Sequence, residues 1–336
     1  RCSLCVRKGF TAISGKDKVV RFRKKHRKPY VRTSNAVYLV SLPERSMTNA
    51  SVISLDTVSA PVTRWRLWGT ILRISIQERI IYRGDFMLGT LMRFLPIVTQ
   101  IFLWGAVFSA LPTTGNAEGR IVGYSYHDMV AYYLLTMLSR AFSSMPGLAS
   151  GITREIREGT IKRFIVQPIG LLEYLFFYRL AHKLTYYAVA IIPFAVVFYL
   201  CRGFFNETPH GCVWVGYIAS LILAFLLGFF LEATLGLLGF WFLEVSSFLF
   251  IYMLLSFFFS GHMFPIDMLP EPMASLVKLI PLQYLAYFPA AVFLGKVQGT
   301  ALVTGLLIQA AWVVVFAFLA RLTLQRGLRH YSGFGG

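Results

Sequence analysis

The densest group of ionisable side chains lies in residues 151–183, GITREIREGTIKRFIVQPIGLLEYLFFYRLAHK, between two apolar blocks. Six charges fall within ten residues: Arg154, Glu155, Arg157, Glu158, Lys162 and Arg163. Guanidinium and carboxylate groups form their strongest hydrogen bonds with groups of opposite charge. We therefore interpret this charged segment as a surface that meets a partner protein in water.

No recognisable catalytic motif accompanies these charges. The sequence has no G-x-x-x-x-G-K-[ST] phosphate-binding loop, so we do not expect this chain to hydrolyse ATP. It has no H-E-x-x-H motif, and its six histidines are not spaced as metal ligands. We predict that the chain is not an enzyme and that it binds no metal and no cofactor of its own.

The sequence on both sides of the charged segment is apolar enough to lie in a membrane. The chain of 336 residues is 56% hydrophobic and 14% charged, whereas soluble domains carry about 25% charged residues. Apolar stretches of about 20 residues are typical of transmembrane helices. We predict an all-α polytopic membrane protein with about six transmembrane helices, at residues 86–111, 129–150, 184–200, 213–238, 247–260 and 301–319.

Two segments depart from the simple pattern of spans. In residues 63–85, Trp65, Trp68 and Leu72 begin an apolar stripe at helical spacing, which favours a helix in the membrane interface. Residues 261–296 contain five prolines, which do not fit one continuous span. We predict short re-entrant helices there, buried against protein.

The basic residues are distributed unequally between the two sides of the predicted spans. The side that holds the charged segment and both ends of residues 63–336 has 14 arginines and lysines, and the other side has 4. Cytoplasmic loops carry the excess of basic residues. We therefore predict a multi-pass protein of the plasma membrane (the bacterial inner membrane) with both termini cytoplasmic.

Residues 1–62 form a separate basic and polar leader before the predicted membrane domain, 63–336. Residues 1–46 hold 13 basic and 2 acidic residues, hence +11 of the net charge of +18, and the first methionine is Met47. Three interpretations stay open: a translated upstream region outside the native protein, which we favour, a disordered basic arm at an anionic membrane, or a nucleic-acid tail. We expect no nucleic-acid partner.

Two ionisable residues and two cysteines are further candidates. Arg140 lies near the middle of the second predicted span and Glu232 in the fourth, and burying such groups in a membrane is costly unless they have a role. We predict that they either form a structural ion pair or line the path of a solute. Cys201 and Cys212 bracket a short outer loop and are candidates for a disulfide.

Within the charged segment, Ile152 and Ile156 are spaced i, i+4. A short helix there would present an apolar ridge flanked by Arg154, Arg157 and Glu158, and Gly159 would let the chain bend after it. Such a helix could fit a groove on a partner and pass movement to the spans. The alternative is a charged loop that only fixes the topology.

Several motifs, taken in order, resemble the membrane subunit of an ATP-binding-cassette transporter of the ABC-2 type. They are REIREGTIKRFIVQPIG, SGHMFPIDMLP, PLQYLAYFPAAVFLGK and the terminal RHYSGFGG, and the resemblance extends over residues 64–336. It implies a permease that exports a solute, with a coupling helix within residues 152–164. This helix would dock on a separate ATPase subunit that holds ATP and Mg²⁺. It also implies a second permease copy, identical or related.

The residues alone leave a different function open, an autonomous secondary transporter or channel. Acidic residues are scarce within the predicted spans and no inverted repeat is evident, which argues against it. A membrane scaffold or embedded enzyme would need a catalytic cluster that the sequence does not show. We therefore favour the permease, surrounded by membrane lipids and driven by a partner chain.

Overall fold

A computed structural model describes residues 30–33, 36–39, 64–80, 83–111, 120–166, 169–205, 211–242 and 244–331. The chain divides into two compact units, Arg1–Pro61 and Val62–Gly336. In the first unit, β1 (Tyr30–Thr33) pairs antiparallel with β2 (Ala36–Leu39), and Tyr30 lies opposite Leu39. The predictions for the rest of the leader fall outside the described residues.

The described residues of the second unit form eleven α-helices joined by turns and short 3₁₀ segments. They are α1 (Arg64–Ile80), α2 (Arg83–Ser109), α3 (Tyr126–Ser143), α4 (Leu148–Arg157), α5 (Lys162–Val166), α6 (Leu171–Leu200), α7 (Gly211–Leu237), α8 (Ser246–Phe259), α9 (Glu271–Leu279), α10 (Tyr287–Phe293) and α11 (Gly299–His330).

Three described helices are long and apolar enough to cross a membrane: Leu171–Leu200, Gly211–Phe240 and Gly299–His330. Two further apolar helices, Phe94–Ser109 and Ser246–Phe259, are shorter. The predicted class, a helical membrane protein, is confirmed. The count of six spans, the re-entrant path and the orientation stay predictions.

Most side chains of helix α3 are buried within the second unit. Ser125 caps its first turn, since the Ser125 hydroxyl accepts from Asp128 N at 3.2 Å and Asp128 Oδ2 accepts from Ser125 N at 3.1 Å. The side chains from Met129 to Met137 are all buried, and α3 packs against α2, α7 and α10. Because α3 is covered by other helices, its position depends on the elements around it.

The predicted second span, 129–150, is interrupted in the structure. Helix α3 ends at Ser143 and α4 begins at Leu148. Pro146 lacks a backbone N–H and Gly147 has φ +75°, a left-handed conformation that side chains disfavour. The turn 144–147 therefore separates α3 from the charged helix α4. Helix α6 begins at Leu171, before the predicted third span at 184–200, so that Arg179 and Lys183 lie within the helix. The boundary of this span in the membrane stays a prediction.

The interfacial helix predicted at 63–85 appears as α1, which ends at Ile80. It packs along α6, where the Trp68 ring stacks on Phe177 with centroids 5.2 Å apart. Trp65 remains exposed, so one side of α1 is free to meet lipid. Its place in the membrane interface stays a prediction.

At the end of the bundle where α3 begins, Asp267 ties the segment after α8 to the start of α3. Asp267 Oδ2 accepts from the hydroxyls of Tyr124 at 3.1 Å and Tyr287 at 2.5 Å, and Oδ1 lies 3.2 Å from Lys278 Nζ. Burial, and secondly the charge of Asp267, raise the pKa of Tyr124. The tyrosine therefore stays protonated and donates its hydrogen bond.

Candidate functional site

Helix α4 carries the charged residues singled out in the sequence, and its apolar face points into its own subunit. Ile152 and Ile156 are 3% and 4% exposed and join a core cluster with Phe229 and Leu237 of α7. Thr153 Oγ1 donates to the Gly236 carbonyl at 3.1 Å. The prediction that the two isoleucines present a ridge to a partner is therefore wrong, because α7 already covers that ridge.

The outward face of α4 is charged. Arg154, Arg157 and Glu158 are exposed, whereas Glu155 is partly buried and its Oε1 lies 2.5 Å from Arg163 Nη2. Side chains that are exposed and fixed on a short helix can exchange water for a partner's charged groups. This face of α4 is one part of the predicted docking segment that is exposed to a second protein.

The chain bends after α4, as predicted from Gly159. Gly159 has φ +73°, and Ile161 N donates to the Glu155 carbonyl at 3.2 Å. The bend brings Ile161 and Phe164 into the same core cluster as Ile152. Buried residues therefore hold both ends of the exposed charged surface.

Glycines at the end of α7, and in the 3₁₀ turn that follows it, let this part of the chain approach α4 closely. A Cβ on Gly236 would lie 2.8 Å from Ala149 Cα and 3.0 Å from Ile152 Cβ, and one on Gly239 would lie 3.2 Å from Thr153 Cα. Gly228, one turn before Glu232, is also close to the end of α3, where a Cβ on it would lie 2.9 Å from the Ser143 carbonyl carbon. Small residues spaced by four allow membrane helices to touch along their backbones.

Three ionisable side chains satisfy the backbone groups that the interruption between α3 and α4 leaves without helical partners. Lys183 Nζ of α6 donates to the carbonyls of Ala141 and Ser144, the latter at 2.6 Å. Arg179 Nη1 donates to the Pro146 carbonyl at 2.8 Å. From the opposite side, Glu232 Oε1 of α7 accepts from Met145 N at 3.1 Å. Cations complement the carbonyl end of a helix, and the carboxylate complements the N–H end of the next.

Arg140 bonds to α8, with Nη1 donating to Ser256 Oγ at 3.2 Å. It also lies within electrostatic range of Glu232, together with Arg179 and Lys183. The structure therefore places the two predicted intramembrane residues in one polar region. A direct Arg140–Glu232 pair and a role for either residue in a solute path stay predictions.

The turn between α7 and α8 completes the surface next to α4. Glu244 Oε2 lies 3.6 Å from Arg157 Nη1, and both side chains are more than half exposed. Hydrogen bonds from the Ser246 hydroxyl and backbone N–H lower the pKa of Glu244. On the same turn, the Trp241 ring is stacked with His330 at the end of α11. The turn thus contacts both α4 and the last helix.

The two candidate disulfide residues lie at the adjoining ends of α6 and α7. Cys201 is partly buried and Cys212 is exposed, and both are free thiols in the structure. The five residues between Phe205 and Gly211 lie outside the described ranges. The disulfide stays a prediction.

Sequence reasoning missed the contributions of Lys183, Arg179 and the α7 glycines. The two cations looked like the basic end of a loop, because only the tertiary fold brings them to the carbonyls at the end of α3. Gly228, Glu232 and Gly236 are spaced i, i+4, i+8. This spacing is a readable signal of a close helix contact.

Comparison with known proteins gives one family match. A family model described as an ABC-2 family transporter protein matches residues 94–335. No curated protein matches the chain. The matched region includes α4, the turn at 144–147 and the whole of α7.

Proposed function

The chain belongs to the ABC-2 family of transporter proteins, and we propose that it is the permease subunit of a transporter that exports a solute, powered by ATP hydrolysis on a separate subunit. Membership of this family identifies the chain as a membrane component of a transporter. The observation that carries the finer proposal is the exposed charged face of α4, a helix whose other face is packed on α7.

The contacts of α4 support a route for movement. A partner that binds Arg154, Arg157 and Glu158 would push on a helix that cannot slide freely along α7, since glycine contacts and the Thr153–Gly236 bond join the two. Interfaces packed at this density respond by discrete shifts rather than by continuous deformation. Movement imposed on α4 would therefore reach a helix long enough to cross the membrane.

The remaining parts of the proposal follow from the family and the charge distribution. ATP and Mg²⁺ would be held by the partner subunit, and a second permease, identical or related, would complete the path in the bacterial inner membrane. Both termini and α4 would face the cytoplasm. Arg140 of α3, which donates a hydrogen bond to α8, is the candidate for contact with an anionic group of the solute.

The test is co-purification of the full chain in mild detergent with the ABC ATPase encoded beside it. Arg154, Arg157 and Glu158 would be replaced together by alanine, and the matched control would replace the exposed Arg66 and Arg73 of α1. We expect the ATPase to accompany the wild type and the control and to be lost from the α4 variant. Failure of the wild type to bind any ATPase would contradict the proposal and favour a secondary transporter.

A further inference from the structure

An acidic residue within a long apolar helix needs a physical reason. Glu232 lies in α7, a helix long and apolar enough to cross a membrane, where an ionised carboxylate is costly unless it is bonded and compensated. Its carboxylate accepts from a backbone N–H outside its own helix, that of Met145. The group therefore acts on the chain at the entrance to α4.

The hydrogen bond between Glu232 and Met145 N lies between two close backbone contacts of α7, one with α3 and one with α4. One turn before it, Gly228 touches the end of α3, and one turn after it, Gly236 touches Ala149 and Ile152 of α4. The Met145 N–H therefore bonds to a part of α7 that is in close backbone contact with the chain on both sides of the turn 144–147. A shift of α4 away from α7 would break the bond and open the glycine contacts together.

The opposite side of the same turn is held by α6. Lys183 and Arg179 donate to carbonyls of residues 141, 144 and 146, and their charges, with that of Arg140, act on Glu232. A polar cavity of about 20 Å³ borders the turn, lined by Ala141, Ser144, Pro146, His182, Lys183 and Tyr186. It has room for about one water molecule, not for a solute.

We propose that Glu232 is a positioning residue that locks α4 to α7, so that the two helices move as one body when the partner subunit acts on α4. This inference rests on the proposed function. It assigns Glu232 to transmission of movement, because the bond to Met145 N aims the carboxylate at the protein backbone. Arg140 alone is then left as the candidate residue of the solute path.

Two substitutions separate the hydrogen bond from the side-chain volume. Glu232→Leu removes the acceptor and leaves the Met145 N–H without its partner, whereas Glu232→Gln keeps an acceptor oxygen. Hydrogen–deuterium exchange of the full permease in lipid nanodiscs measures the amides of residues 144–157 without any partner. We expect exchange in Glu232→Leu to be about tenfold faster than in the wild type, the factor for one buried hydrogen bond, and Glu232→Gln to stay close to the wild type.

Spin labels test the movement itself in the complex with the ATPase. Labels on Ser150→Cys of α4 and Ile222→Cys of α7, both exposed positions, would be placed in a chain whose native cysteines are serine. We expect the wild type and Glu232→Gln to keep one narrow distance before and after trapping with ATP and vanadate. In Glu232→Leu, the ATPase should still bind, but trapping should shift or broaden the distance.

A second pair of variants keeps the inference testable if Glu232→Leu does not fold. Gly236→Ala places a methyl group 2.8 Å from the Ala149 backbone, whereas Gly211→Ala, on the same helix, meets nothing within 4 Å. We expect only Gly236→Ala to give the faster exchange and the broadened distance. Exchange and distances in Glu232→Leu or Gly236→Ala that equal those of the wild type would overturn the inference. If the wild type binds no ATPase, the proposed function fails, and the exchange experiment still decides whether Glu232 positions α4.

Discussion

Gly228 of α7 faces the Ser143 carbonyl at the end of α3 with no room for a side chain. A Cβ placed on Gly228 would overlap the carbonyl oxygen and lie 2.9 Å from the carbonyl carbon. Both groups are backbone atoms of buried residues, so neither can rotate away as a flexible side chain would. The contact therefore fixes the position of α7, along its own axis, relative to the turn between α3 and α4.

Gly228→Ala should therefore destabilise the protein by about 3 kcal/mol, at the upper end of the usual cost of overpacking. The expected result is a drop of several degrees in the melting temperature of the detergent-solubilised chain, measured by fluorescence-detected size exclusion. Gly89→Ala on α2 is the control, since its Cβ meets nothing within 4 Å. Equal melting temperatures for the two variants would show that α7 does not approach Ser143 this closely.

The bonds of Asp267 lead to a second prediction, at the start of α3. Asp267→Asn removes the anionic acceptor shared by Tyr124 and Tyr287, and we expect a loss of about 1.5–3 kcal/mol, the range for hydrogen bonds to charged groups. The half-exposed Lys278 adds little to this, because such ion pairs are screened by water. Melting temperature and amide exchange of residues 120–128 measure the effect.

Glu271→Gln provides the control for Asp267, since it changes an exposed carboxylate on α9. Faster exchange at residues 120–128 is expected in Asp267→Asn only. Equal exchange in the two variants would mean that Asp267 does not hold the start of α3.

The orientation in the membrane predicts which cysteine reacts from outside the cell. The chain has two further cysteines, Cys2 and Cys5, which would be replaced by serine. An impermeant maleimide should then label Cys212 in intact cells, and a cysteine at Ser150 only after permeabilisation. Cys201 should react more slowly than Cys212, because burial raises the pKa of the Cys201 thiol and the thiolate is the reactive form. Labelling of Ser150→Cys in intact cells would reverse the assigned orientation, and labelling of Cys212 only after reduction would reveal the disulfide.

The sequence predicted the properties that depend on composition and on local backbone chemistry. Hydropathy gave the helical membrane class, and Gly159 gave the bend after α4, because a positive φ is a local property of the chain.

The errors concern burial and tertiary contact. The i, i+4 spacing of Ile152 and Ile156 shows that one face of α4 is covered, but the spacing is the same whether the cover is a partner or α7. The interruption at 144–147 was missed because the hydropathy of residues 129–150 continues across Pro146 and Gly147. Its backbone groups are satisfied by Lys183 and Glu232, which are distant in sequence.

The exposed face of α4 is the surface on which we propose that an ABC ATPase docks. The most direct test places a photo-crosslinking residue at Arg154 on that face, or at Ile152 on the buried face, and irradiates membranes that contain both proteins. We predict a covalent adduct with the ATPase, identified by mass spectrometry, from position 154 and none from position 152, whose probe should instead cross-link to α7. An ATPase adduct from position 152, or none from position 154 in membranes that contain the ATPase, would contradict it.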